Sequence, residues 1–133
     1  MTVIRWLLTL PSAALGWLAM LAAGFSMLAL LQRLCPPELV ISGMCTASWY
    51  RSAETGAFAL SAALGAALFV ALPSLVAPAH RPHVAVAAWL LGCAWTTWLA
   101  LAVGGSIALP AAAAVASGLL VALWFARAAR RPA

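Results

Sequence analysis

The chain has 133 residues, of which 67% are hydrophobic and only 7% charged, and its mean hydropathy is +1.10. That mixture excludes a water-soluble core and describes a polytopic membrane protein whose solvent is the bilayer. The net charge of +5 comes from seven arginines set against two acidic residues; they stand mostly singly at the ends of apolar segments, as topology signals and lipid contacts do, and form no basic patch for a nucleic acid.

A helix needs about 20 residues to cross ~30 Å of hydrocarbon, so the length holds four spans and leaves no room for a soluble domain. The first apolar run covers residues 4–32, with the span itself at 11–31 and Pro11 tolerated in the first helical turn. Its arginine-led start mimics a signal peptide, but the apolar core is too long and no A-x-A site follows, so it reads as a retained span. The second span, 56–76, runs out at Pro73 and Pro78, either of which ends or kinks a helix. The third, 84–103, stops at Gly104 and Gly105. The fourth, 107–126, begins near Pro110 and ends in the basic tail of Arg127, Arg130 and Arg131.

Between them lie a long loop over residues 33–55, the link AHRPH and a GGS turn. Links this short force antiparallel neighbours, which predicts an all-α, up-down bundle of four transmembrane helices forming one domain over 1–133. Arg5, Arg81, Arg127, Arg130 and Arg131 fall on one face of that arrangement, while Arg33 and Arg51 share the other with Glu38 and Glu54. The positive-inside rule then puts both termini in the cytoplasm and the 33–55 loop outside, in the periplasm if the membrane is a bacterial inner membrane.

No charged side chain interrupts a span. Ion-coupled pumps keep an intramembrane carboxylate or histidine to bind the coupling ion, and four-helix drug exporters of similar length carry a glutamate in their first helix, where this chain has only apolar, small and hydroxyl residues. Small residues recur instead at helical spacing: Ser12, Gly16 and Gly24; Ala57, Ser61 and Gly65; Gly92, Thr96, Ala100 and Gly104; Ala114, Gly118 and Ala122. Such seams let helix backbones approach closely, within the bundle or against a partner. Trp6 and Trp124, and at the other end Trp49 and Tyr50, suit the headgroup level. Trp95 and Trp98 share a helical face with Leu91, where they face lipid, fill the bundle, or flank a lipid-like or quinone-like ligand.

Cys35 and Cys45, with nine residues between them, both lie on the oxidising side, so a disulfide is expected. Pro36 and Pro37 stiffen the first leg of this loop. Leu39, Val40, Ile41 and Met44 are too apolar for free solvation, which predicts a lid folded over the outer end of the bundle with Trp49 and Tyr50 as its anchors. The layout of four spans, cysteines in the first outward loop and Arg51 just before the second helix resembles the quinone-linked thiol oxidases of the bacterial inner membrane. That resemblance implies electron transfer from thiols to a quinone. It covers only the layout and Cys35, Cys45 and Arg51: the pair is wider than C-x-x-C, and the GGSIALP turn carries no second pair. Cys93 lies mid-span as a small hydrophobe. His80 and His83 have no third donor on their face, so neither a metal nor any other cofactor is expected.

No catalytic set can be assembled from so few polar residues. The expectation is a non-enzymatic accessory or scaffold subunit that binds a membrane partner, or its own copies, through small-residue seams and the loop. Its contact residues would be Glu38, Trp49, Tyr50, Arg51, Glu54, Trp95 and Trp98. A redox protein and a lipid-handling transporter are the alternatives.

Overall fold

Runs of Leu, Ala and Val without internal charge can satisfy their backbone in hydrocarbon only as helices, and helices account for nearly all of the structure. This computed structural model describes residues 2–103 and 107–130; the expected turn at 104–106, its seam residue Gly104 and Arg131 of the tail lie outside the described residues. A short α1 (Thr2–Leu7) leads into α2 (Thr9–Arg33), joined by the N–H groups of Leu8 and Ser12 donating to the carbonyls of Ile4 and Leu8. After the disulfide loop come α3 (Tyr50–Val76), α4 (Arg81–Val103) and α5 (Ala108–Ala128). The four long helices, α2 to α5, are each long and apolar enough to cross a membrane. By length and composition the chain is a multi-pass membrane protein.

Helix α3 departs from the sequence expectation at its start, beginning at Tyr50 rather than at residue 56. Hydropathy follows side-chain apolarity, whereas the helix begins where its first N–H groups find acceptors. Here Tyr50 and Ala53 donate to the carbonyls of Ala47 and Trp49. Arg51 and Glu54 therefore belong to a helix and not to a loop. At its far end α3 passes through Pro73, stops at Val76, and closes with Ala77 N–H on the Pro73 carbonyl. The fully buried Ser74 hydroxyl donates to the Val70 carbonyl at 2.6 Å, one turn back.

Within the loop, residues 40–45 form a small antiparallel hairpin in which Val40 pairs with Cys45 and Ile41 with Met44. Ser42 (φ 53°) and Gly43 (φ 79°) make its turn. Two successive left-handed residues are what a two-residue hairpin connection needs, and glycine takes that conformation at no steric cost.

Packing is governed by close backbone approach. Helix α2 rests principally on α3, and α3, α4 and α5 contact one another. On α2, Gly16 lies so near α3 that a Cβ there would sit 2.7 Å from the Phe69 nitrogen. Gly65 of α3 is filled by the Met20 side chain, and Gly24 faces Ser61. Two hydrogen bonds cross between the other helices: Ser117 Oγ donates to the Ala63 carbonyl at 2.9 Å, and Trp89 Nε1 to the Val115 carbonyl at 3.2 Å. The densest packing gathers Val70, Ala85, Ala88, Ala122 and Phe125. It lies toward the C-terminal end of α3, away from the disulfide.

Adding a methyl at Gly16 forces α2 away from α3. We expect Gly16→Ala to cost about 1–3 kcal/mol, the range for overpacking a filled interior. Gly56→Ala meets nothing within 4 Å and should gain up to about 1 kcal/mol from helix propensity. Thermal unfolding of both variants in one detergent checks the pair, and equal melting temperatures would refute the close contact.

Candidate functional site: an apolar cleft with a charged mouth

Because α2 leans principally on α3, a gap remains between it and the α4–α5 pair. The gap is a cleft of about 940 Å³ that all four long helices line. It runs along α3 from Arg51 to Val70. Helix α2 contributes a bulky wall of Trp17, Leu21, Phe25 and Leu28; α4 adds Leu91, Gly92, Cys93, Trp95, Thr96 and Leu99. The floor, from α3 and α5, is built largely of small residues, among them Ala62, Ala66, Ala111 and Ala114. Side chains this short cannot fill the space the helix offsets create. The volume lies at the upper end of the roughly 300–1,000 Å³ typical of ligand sites.

The cleft's hydroxyls are already bonded. Thr55 Oγ1 donates to the Arg51 carbonyl at 2.9 Å, Ser61 Oγ to that of Phe58 at 3.0 Å, and Thr96 Oγ1 to those of Gly92 and Cys93. The walls therefore present an apolar surface despite the hydroxyls. Charge enters at one end only, where Arg51 and the half-buried Glu54 stand on the first turns of α3.

The structure divides the residues singled out from sequence. Arg51, Glu54 and Trp95 share the cleft; Glu38, Trp49, Tyr50 and Trp98 do not line it. Glu38 sits exposed in the 3-10 turn Pro37–Leu39. Trp49 and Tyr50 meet edge to face with ring centroids 6.0 Å apart, Tyr50 half-buried and Trp49 exposed. Trp98 packs against Trp95 with ring centroids 5.1 Å apart; both rings are exposed, and Trp98 itself lies outside the lining. Residues that sequence reasoning passes over include Trp17, Thr55 and Phe58, while it reads Gly92 as part of a packing seam and Cys93 as a mid-span hydrophobe. A signal for part of this set was present: Arg51, Glu54, Thr55 and Phe58 follow the i, i+3, i+4, i+7 spacing of one helical face.

Three further expectations meet the coordinates here. Cys35 and Cys45 are joined, with Cα atoms 6.0 Å apart. The seams on α2, α3 and α5 are spent inside the molecule, since Ser12, Gly16, Gly24, Ala57, Ser61, Gly65, Ala114, Gly118 and Ala122 are buried. On α4, Gly92 and Thr96 look into the cleft. The lid expectation is corrected. Ile41 and Met44 are 62% and 69% exposed, and no residue of the loop before Arg51 lines the cleft. The hairpin satisfies its own backbone through its ladder and through Thr46, whose N–H and Oγ1 both donate to the Leu39 carbonyl. It therefore has no need to pack on the helices.

Among the described residues no three His, Cys, Asp or Glu side chains gather into a metal-binding group. His80 and His83 stack edge to face at 5.8 Å at the start of α4. Comparison with protein-family models, curated proteins and solved structures returns no match.

The disulfide closes a loop that contributes no residue to the cleft lining. Cys35→Ser or Cys45→Ser should cost about 3 kcal/mol by loop-closure entropy. The loss should appear as faster proteolysis within 36–44, with the helical circular dichroism of the spans retained. Loss of the helical signal would mean that the bridge holds the bundle itself.

Proposed function

We propose that the protein binds a single-molecule amphiphile of the membrane in this cleft, tail along the apolar walls and head at Arg51 and Glu54. The observation that carries the reading is the combination of an apolar volume of about 940 Å³ reached by four spanning helices with a charged mouth. A drug-sized or lipid-like molecule suits that volume. The small seams on α2, α3 and α5 let the chain's own helices pack closely, and five of their residues, Gly24, Ser61, Gly65, Ala114 and Gly118, also line the cleft.

The orientation we infer is an antiparallel bundle with both termini in the cytoplasm of a bacterial cell and the disulfide loop in the periplasm. Contacts between α2 and α3 support the antiparallel part, because Gly16 meets Phe69, Gly65 meets Met20 and Gly24 meets Ser61, so residue numbers descend on one helix as they rise on the other. Arginine placement supports the sidedness. The mouth then opens toward the outer leaflet, at the depth where headgroups lie.

Gly92→Phe tests the amphiphile reading. A Cβ at Gly92 meets nothing within 4 Å and Gly92 lines the cleft, so the ring has open space to enter. Native mass spectrometry from lipid nanodiscs should show bound lipid on the wild type and its loss from the variant, at an unchanged melting temperature. Equal lipid retention by the two proteins would overturn the reading.

A second reading, an accessory subunit that docks a membrane protein through its loop, is favoured by one observation: Leu39, Val40, Ile41 and Met44 stay exposed on the hairpin. Exposed apolar side chains grouped on one small element mark interaction surfaces. Ile41→Ser with Met44→Ser should then abolish co-purification of a stoichiometric partner from gently solubilised membranes. Recovery of the same monodisperse monomer from both proteins would remove this reading.

A further inference from the structure

The cleft's mouth also identifies the head of the ligand, an inference that rests on the amphiphile reading above. Among the described residues that line the cleft, the charged side chains are Arg51 and Glu54, one of each sign. They stand three residues apart on the first turns of α3, a spacing that puts two side chains side by side on one helical face. An isolated arginine would select an anionic head and an isolated glutamate a cationic one. Together they offer no net charge and two opposite poles.

We propose that the mouth recognises a zwitterionic phospholipid head carrying both a phosphate and an ammonium group. The planar guanidinium of Arg51 suits paired phosphate oxygens, and the Glu54 carboxylate accepts from the ammonium. Tail recognition is unspecific, because the cleft below this pair offers apolar surface and hydroxyls already engaged with helix carbonyls. Discrimination between lipids therefore falls to the head. Glu54 supplies it by rejection: a purely anionic head on Arg51 would also meet the half-buried carboxylate, a like-charge contact.

The full chain in nanodiscs of equal phosphatidylethanolamine and phosphatidylglycerol with identical acyl chains tests this by native mass spectrometry of the retained lipid. The wild type should retain phosphatidylethanolamine preferentially by about tenfold, the ratio that one charge-assisted hydrogen bond supplies. Glu54→Gln should reverse the preference toward phosphatidylglycerol. Arg51→Gln should lose most of the bound phospholipid of either kind, while both variants keep the wild-type melting temperature. Free glycerophosphoethanolamine should not displace the lipid, since the tail is part of the ligand, and displacement would overturn the assignment to a lipid. Lipid retained in one unchanged ratio by all three proteins would overturn the head assignment and leave the amphiphile reading standing. A wild type that retains no lipid would overturn both.

Discussion

The contact between α2 and α3 through Gly16, Gly24 and Gly65 determines the rest of the architecture. Lipid tails are as apolar as leucine, so nothing in a bilayer pushes greasy helices together for the sake of leaving water. They associate where backbones come close enough for dispersion and weak hydrogen bonds to accumulate. The glycines Gly16 and Gly24 of α2 have that proximity to α3. Helix α2 is consequently held by one neighbour along one stripe. Its bulky residues Trp17, Leu21, Phe25 and Leu28 then form a free-standing wall that faces α4 and α5 across open space.

The opposite wall keeps its place for a different reason. Helices α3, α4 and α5 are linked by polar side chains bonded to the carbonyls of neighbouring helices, Ser117 to Ala63 and Trp89 to Val115. In a medium without water no solvent competes for such bonds, although the Ser117 hydroxyl is shared with the Ala114 carbonyl of its own helix at 3.0 Å. Trp89 also packs against Gly118, where a Cβ would come within 3.1 Å of the indole. Together with the Val70, Ala85, Ala88, Ala122 and Phe125 cluster, these contacts close the molecule at one end. At the other end Arg51, Glu54, Phe58, Trp95 and Leu99 stand around an open cleft with the small residues Ala62 and Ala111 on its floor. A cleft lined this way would be costly in water; in a bilayer its apolar walls carry no such penalty.

Much of this was legible in the sequence, and the failures have specific causes. The long helices announce themselves by uninterrupted apolarity, and the Cys35–Cys45 bridge follows once the loop is placed on an oxidising side. Hydropathy could not see the first turns of α3, because Arg51 and Glu54 are helical yet polar. The apolarity of Leu39, Val40, Ile41 and Met44 suggested burial, whereas the structure gives them a two-residue-turn hairpin of their own; Ser42-Gly43 was its signal, too short to outweigh hydropathy. Tryptophan spacing pointed to Trp95 and Trp98 together, but helix α4 turns only the first toward the cleft. The cleft itself depends on how far α2 stands from α4 and α5. That offset is a tertiary property with no local signature.

The disulfide acquires a role through the same geometry. Cys35 follows closely on the end of α2 at Arg33, and Cys45 precedes the start of α3 at Tyr50. The covalent bond thus replaces the long path through the hairpin by a short tether between the two helices that form one side of the mouth. At the far end α2 and α3 are held by glycine contacts, and at the near end by this tether. Such double fixation ties the wall of α2 to α3 at both ends of the cleft. A site already formed before binding loses less conformational entropy when it is filled. The hairpin between the two cysteines is released from that structural duty, which is why its apolar face is free to meet something else.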